Sequence, residues 1–170
     1  MARLATSNDI PALHALIESA YRGDSAKRGW TYESDLLGGQ RTDVAMLETQ
    51  LGDPRQSMLV IEDGPDLLAC VALEDRGSGL FYLGMLTVDP TRQAGGVGKR
   101  LLGQAEAWVR EHGGTRIEMT VIRQRTDLIG WYERRGYTPT GEARPFPAGD
   151  PRYGLPKRDD LEFAVLEKRL

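Results

Sequence analysis

Leu86-Thr-Val-Asp-Pro-Thr-Arg-Gln-Ala-Gly-Gly-Val-Gly-Lys-Arg-Leu-Leu102 is the stretch that decides the fold. It reads as the end of a buried strand, a glycine turn and the first turns of an amphipathic helix. A glycine turn that opens a helix is a ready anion site. The helix start presents N–H groups with no partner inside the helix and a partial positive charge, and glycines let a phosphate reach the backbone. The local charge agrees: Arg92, Lys99 and Arg100 lie in a window with no acid between Asp89 and Glu106, although the chain carries a formal charge of −3. The segment is expected to hold a phosphate-bearing cofactor. The alternative is a helix-opening turn that binds nothing.

On the N-terminal side, Leu80–Val88 is nearly continuous in apolar residues, as for a strand covered on both faces. Two further strands precede it, Ser57–Ile61 and Leu67–Leu73, joined by the turn residues Asp63-Gly-Pro-Asp66. Before them come a short strand at Arg3–Thr6 and a helix whose face is Ile10, Leu13, Ile17 and Tyr21. That helix has caps offered by Ser7 to Asp9 and a Pro11 suited to its first turn. A shorter helix over Val44–Leu51 closes at Gly52-Asp-Pro54. On the C-terminal side, Val97, Leu101, Ala105, Trp108 and Val109 mark the buried side of a long helix ended by Gly113-Gly114. A strand at Arg116–Ile122, a short helix from Asp127 to Arg135, a strand starting at Tyr137 and a closing strand at Leu161–Leu166 follow. Residues 139–156 hold five of the nine prolines and read as an ordered loop. The fold class is α/β of the α+β kind: a mixed, mostly antiparallel twisted sheet of six to seven strands flanked by about four helices. It lacks the regular βαβ alternation of a doubly wound dinucleotide fold.

At 170 residues the chain is read as one domain, 1–170. Its acidic balance speaks against a nucleic-acid surface, and no apolar run approaches the roughly 18–20 residues that span a bilayer. The start lacks the apolar core of a signal peptide, so a cytoplasmic protein with no membrane partner is expected. A lone Cys70, within Leu67–Leu73, excludes an intrachain disulfide and reads as a small core residue rather than a nucleophile. One Cys with His14 and His112 far apart gives no metal-ligand spacing.

Two motifs, in this order of elements, resemble the GNAT superfamily of N-acetyltransferases over nearly the whole chain. Gln93-Ala-Gly-Gly96-Val-Gly98 meets the pattern Gln/Arg-x-x-Gly-x-Gly/Ala. Tyr132-Glu-Arg-Arg-Gly136-Tyr137 meets Tyr-x-x-x-Gly-Phe/Tyr. The resemblance implies acetyl-CoA as acetyl donor. Backbone groups of Leu86, Thr87 and Val88 would pair with pantetheine, and backbone N–H groups of the turn and helix start would grip the pyrophosphate through Ala94, Gly95, Gly96, Val97, Gly98 and Lys99, with Gln93 also among the cofactor-binding residues. It makes Tyr132 the acid beside the leaving sulfur, the alternative being a tyrosine that only packs with Trp131 and Ile129. A thiol of pKa about 8.5 is within reach of a tyrosine of pKa about 10.

The chain departs from the family pattern at two positions. Arg125 stands seven residues before Tyr132, where the family often has Asn, and is placed with the cofactor-binding residues. Thr120 stands where members that acetylate ribosomal-protein N-termini carry Glu, and a threonine is no strong base. Glu118, about 7 Å back along the same strand face, is the nearest substitute, with Glu33 and Asp35 as further candidates. An alkylammonium near pKa 10 must lose a proton before it attacks, at a cost of roughly 4 kcal/mol at pH 7.

The resemblance also places the acceptor between Gly23–Asp43 and Gly141–Asp160. Trp30, Tyr32, Glu33 and Asp35 suit a cationic amine. Arg144, Arg152 and Tyr153, with Phe146 beside them, suit an acceptor bearing a carboxylate. The substrate-binding set is Trp30, Tyr32, Glu33 and Phe146, and the expected partner is a small-molecule amine, with a homodimer allowed by the resemblance. The rival functions are acetylation of a protein N-terminus or lysine, and a CoA-binding regulatory module without turnover.

Overall fold

In a computed structural model of the chain, residues 1–21, 37–38, 42–92, 95–145, 155–156 and 160–170 are described. The elements in chain order are β1 (Arg3–Leu4), α1 (Ile10–Tyr21), β2 (Leu37–Gly38), α2 (Val44–Gly52), β3 (Gln56–Asp63), β4 (Asp66–Asp75) and β5 (Leu80–Val88). They continue with α3 (Val97–Glu111), β6 (Arg116–Ile122), α4 (Thr126–Glu133), β7 (Thr138–Pro145), β8 (Leu155–Pro156) and β9 (Glu162–Arg169). One seven-stranded sheet runs β1-β3-β4-β5-β6-β9-β7, and β2 pairs with β8 in a separate ribbon. Every neighbouring pair is antiparallel except β5 and β6, which α3 connects. The expected mixed, mostly antiparallel sheet with four helices is therefore present.

Both faces of the sheet are covered, and the strand sequences alternate accordingly. On β3, Met58 and Val60 join Ile10, Leu13, Leu16, Ile17, Ala20 and Leu47 of α1 and α2. Leu59 and Ile61 join Leu101, Ala105 and Val109 of α3 on the other side. This period-2 alternation is what a strand packed on two layers requires. Cys70 is buried in the α1 layer, and its Sγ lies 3.8 Å from the Met85 carbonyl oxygen.

Three local details differ from the sequence reading. The helix cap before α1 is Thr6: its N–H donates to Asp9 Oδ2 at 2.8 Å, and Ser7–Asp9 form a 3₁₀ turn. Trp108 is only partly buried, edge-on to Phe81 and stacked on His112 at 3.8 Å between centroids. The stretch from Pro139 to Pro145, read as loop, is most of strand β7. It is an edge strand, which tolerates the missing N–H of proline, and its register breaks between Pro139 and Ala143 around Gly141 at φ 86°.

Candidate active site

Two deformations of the sheet make the site. First, β5 and β6 are in register only at Leu80↔Arg116, Phe81↔Ile117 and Tyr82↔Glu118. Beyond that point β5 continues on β4, and β6 pairs with β9 over its whole length, so the two strands part as a wedge. Second, β5 carries a bulge. Ala72 pairs with Gly84 but Cys70 pairs with Thr87, and Met85 sits at φ 53°. A left-handed non-glycine residue costs roughly 1–2 kcal/mol. Here Thr87 Oγ1 fixes the Met85 carbonyl with a 2.8 Å hydrogen bond. The extra residue changes the phase of the strand: Phe81 and Leu83 before it, and Leu86 and Val88 after it, all face the same core.

Beyond Val88 lies the glycine turn. Gly95 has φ 93° and Gly96, the residue capping α3, has φ 74°, and a Cβ on either would meet nothing within 4 Å. The backbone there is left-handed and uncovered among the described residues, which suits glycine and the close approach of a ligand. Among the described residues no side chain caps α3, which suits N–H groups that meet a ligand or solvent. Val97 and Gly98 are buried while Lys99 and Arg100 are exposed. Arg92 belongs elsewhere: it bonds Asp63 at 2.7 Å and Asp66 at 3.5 Å, tying the β3–β4 hairpin to the end of β5. Gln93 and Ala94 lie outside the described residues.

Tyr132, on α4, is 5% exposed and shares its core with Leu86, Val88 and Val97. Its ring meets Trp131 and Tyr137 edge-on, at 5.1 and 5.8 Å between centroids. Tyr137 itself is no proton donor to a ligand. Its hydroxyl donates to Glu106 Oε2 at 2.9 Å inside the core, and burial, reinforced by that carboxylate, pushes it far up. Arg125 is buried at the N-terminus of α4, where Nε and Nη2 bond Asp127 at 3.1 and 3.2 Å. The guanidinium holds the Asp127 carboxyl below its ordinary range.

The opposite sheet face, toward α1 and α2, carries a charged cluster. Glu118 is 8% exposed. Its carboxylate accepts from Arg76 Nη1 at 3.1 Å and from Arg144 Nη1 and Nη2 at 3.2 and 2.9 Å. The two guanidiniums are held in turn by Glu74 and Glu142, and Arg76 lies over the Tyr82 ring at 4.2 Å. Glu118, first with Glu142 after it, pushes the Arg144 guanidinium further up, so it stays charged. Tyr82 hydroxyl and Thr120 Oγ1 close the wedge at 2.5 Å.

Sequence reasoning did not single out Arg76, Glu74 or Tyr82. Tyr82 shares the parity of Glu118 about the paired Phe81 and Ile117, a signal present in the two strand sequences. Trp30, Tyr32, Glu33, Asp35, Phe146, Arg152 and Tyr153 lie outside the described residues. Within the described residues near them, Leu37 pairs with Pro156 and Gly38 with Leu155. Among the described residues, no group of three or more His, Cys, Asp or Glu is arranged to hold a metal, and no helix is long and apolar enough to cross a membrane.

A sheet split beside a bulged strand, with an uncovered glycine-opened helix at its mouth, defines an α/β fold with an open site between two strands. Residues 13–137 match the Acetyltransferase (GNAT) family, and the chain belongs to it. The cofactor of that family is acetyl-CoA. Over 107 residues the chain is 34% identical to a mycothiol acetyltransferase of Beutenbergia cavernae. The match covers 61% of this chain, which spans about a third (33%) of that relative's length. A ribosomal-protein-alanine N-acetyltransferase from Brucella melitensis superposes with a TM-score of 0.73 at 18% identity, over 100% of this chain and 99% of that one. An acetyltransferase from Bacillus anthracis in complex with acetyl coenzyme A superposes with a TM-score of 0.58 at 19% identity, over 72% of this chain and 67% of that one.

Proposed function

We propose that this chain, as a single domain over residues 1–170, transfers an acetyl group directly from acetyl-CoA to a primary amine of a small molecule. The observation that carries this reading is the parting of β5 from β6 beyond Tyr82 and Glu118, next to the uncovered turn at Gly95 and Gly96. A thioester arm fits between two strands that no longer pair, with its diphosphate at the α3 N-terminus. In this reading the backbone of Leu86, Thr87 and Val88 holds the arm, with Gln93 and Ala94 through Lys99 around the diphosphate and Arg125 on the α4 side. Tyr132 protonates the departing thiolate as the amine nitrogen bonds the acyl carbon. Glu118 fixes Arg76 and Arg144, and the ammonium proton passes to water. Much of the acceleration is positioning of the amine against the thioester. Trp30, Tyr32, Glu33 and Phe146 belong to the acceptor side.

Similarity over 107 residues to a protein named mycothiol acetyltransferase supports an acceptor that is not a protein tail. So does the pairing of residues 37–38 with residues 155–156, which brings these two parts of the chain together. The lone buried Cys70 fits a cytoplasmic setting. The test is release of free CoA from acetyl-CoA in parallel panels of small amines and of peptides. Turnover with small amines is the expected result. Turnover confined to peptides would reassign the acceptor.

A further inference from the structure

Between the last turn of α2 and the strands β3, β4 and β5 lies a cavity of about 180 Å³. Gly84 and Met85, the bulge of β5, form one end. Gln50, Gln56, Glu74, Arg76 and Tyr82 surround the rest. The cavity has room for a small polar molecule.

Its polar groups come as a matched pair. Arg76 is fixed from three sides: Nε on Glu74 Oε1 at 2.8 Å, Nη1 on Glu118 Oε2 at 3.1 Å, and its plane on the Tyr82 ring at 4.2 Å. Among the described residues, its Nη2 and the second carboxylate oxygen of Glu74 have no partner. A guanidinium so held loses little side-chain freedom when a carboxylate arrives. One donor edge and one acceptor oxygen side by side are complementary to a zwitterion. The two glutamines add neutral hydrogen-bonding groups to the same lining.

Resting on the acetyl-transfer reading above, we infer that this cavity seats the acceptor and that the acceptor is a small amine carrying a carboxylate next to the amino group, as in an α-amino acid. Arg76 Nη2 takes the carboxylate, with Gln50 and Gln56 around it. Glu74 receives the ammonium, and the bulge at Gly84 and Met85 sets the nitrogen against the donor arm held one residue further along β5. Arg76 and Glu74 are specificity-determining residues.

The experiment compares α-amino acids with their decarboxylated amines, following CoA release from acetyl-CoA by wild type, Arg76→Gln, Arg76→Lys and Gln50→Glu. The expected result is a kcat/KM at least about tenfold higher for the amino acid of a pair. Arg76→Gln should raise acceptor KM about 10- to 100-fold with the KM for acetyl-CoA unchanged, and Arg76→Lys should restore part of the loss. Gln50→Glu, which adds a negative charge at the carboxylate end without touching the Glu118 cluster, should raise acceptor KM in the same direction. Decarboxylated amines as good as the acids, or an acceptor KM indifferent to both Arg76→Gln and Gln50→Glu, overturns the inference and leaves acetyl transfer standing. CoA release with no small amine but with peptides overturns it as well. No CoA release with any acceptor overturns both readings together.

Discussion

The Tyr82 hydroxyl on β5 lies 2.5 Å from Thr120 Oγ1 on β6, two residues beyond the last position of β6 that is in register with β5. The backbones have already parted at that point, and one side-chain hydrogen bond spans the apex of the wedge. Neither hydroxyl belongs to the central apolar core. A hydrogen bond of this kind contributes about 1 kcal/mol. Tyr82→Phe and Thr120→Val are each expected to destabilise the chain by about that amount. The double variant is expected to cost less than the sum, with a coupling of about 1 kcal/mol in denaturant titrations. Strict additivity would mean the wedge apex holds without this bond.

Gly114 closes α3 against the core. A Cβ there would overlap Val109 Cγ1 and stand 2.8 Å from Phe81 Cδ1. Both side chains are buried, at 0% and 3% exposure, so neither can swing into solvent. Gly114→Ala is therefore expected to lose about 1–3 kcal/mol, the range typical of an overpacked core. Gly52→Ala, where a Cβ meets nothing within 4 Å, serves as the comparison and is expected to be near neutral or mildly stabilising. Thermal melts of the two variants check this.

Asp9 gives the fold an acid-sensitive clasp. Its carboxyl is lowered to about 2, chiefly by the hydrogen bond from Arg3, with the Thr6 N–H assisting. A folded value below the unfolded one means that the stabilisation is complete above pH about 4. It fades as the pH falls through 2. Asp9→Asn is expected to lower stability at pH 6 and to remove this part of the fall between pH 4 and pH 2. Urea midpoints measured across that window, for wild type and variant, decide it.

Tyr132→Phe keeps the packing of a buried ring and removes only the hydroxyl. If that hydroxyl protonates the leaving thiolate, kcat should fall about 100-fold with the KM for acetyl-CoA little changed. An unchanged kcat would make Tyr132 a packing residue of the Trp131–Tyr132–Tyr137 cluster.

The sequence displayed the layers of this fold well because each layer leaves a periodic trace. The alternation of β3, the continuous apolar run of β4 and the helical stripe of α3 follow directly from burial on one or two faces. The bulge at Met85 is also present there, as a change of parity from Phe81 and Leu83 to Leu86 and Val88, but an unbroken apolar run hides it. Strand β7 reads as loop in the sequence because Pro139, Gly141 and Pro145 are breakers in a central strand, and nothing local marks a strand as an edge.

The site was legible where it depends on backbone shape, as at Gly95 and Gly96, and less so where it depends on distant partners. Arg92 looked available to a phosphate because Asp63 and Asp66 lie on another hairpin. Glu118 stands out in the sequence without the partners that hold it, because Arg76 and Arg144 come from β4's exit turn and from β7. Long-range ion pairing leaves no pattern in a single sequence.

The most direct test is calorimetric titration of the folded protein with acetyl-CoA and with ATP, for wild type and for Gly96→Glu. A glutamate at this left-handed, uncovered position sets a side chain and a negative charge where the diphosphate is proposed to lie. Tight binding of acetyl-CoA by wild type, little binding of ATP and loss of the acetyl-CoA signal in a folded Gly96→Glu is the predicted result. A well-folded wild type that shows no heat with acetyl-CoA would contradict the account.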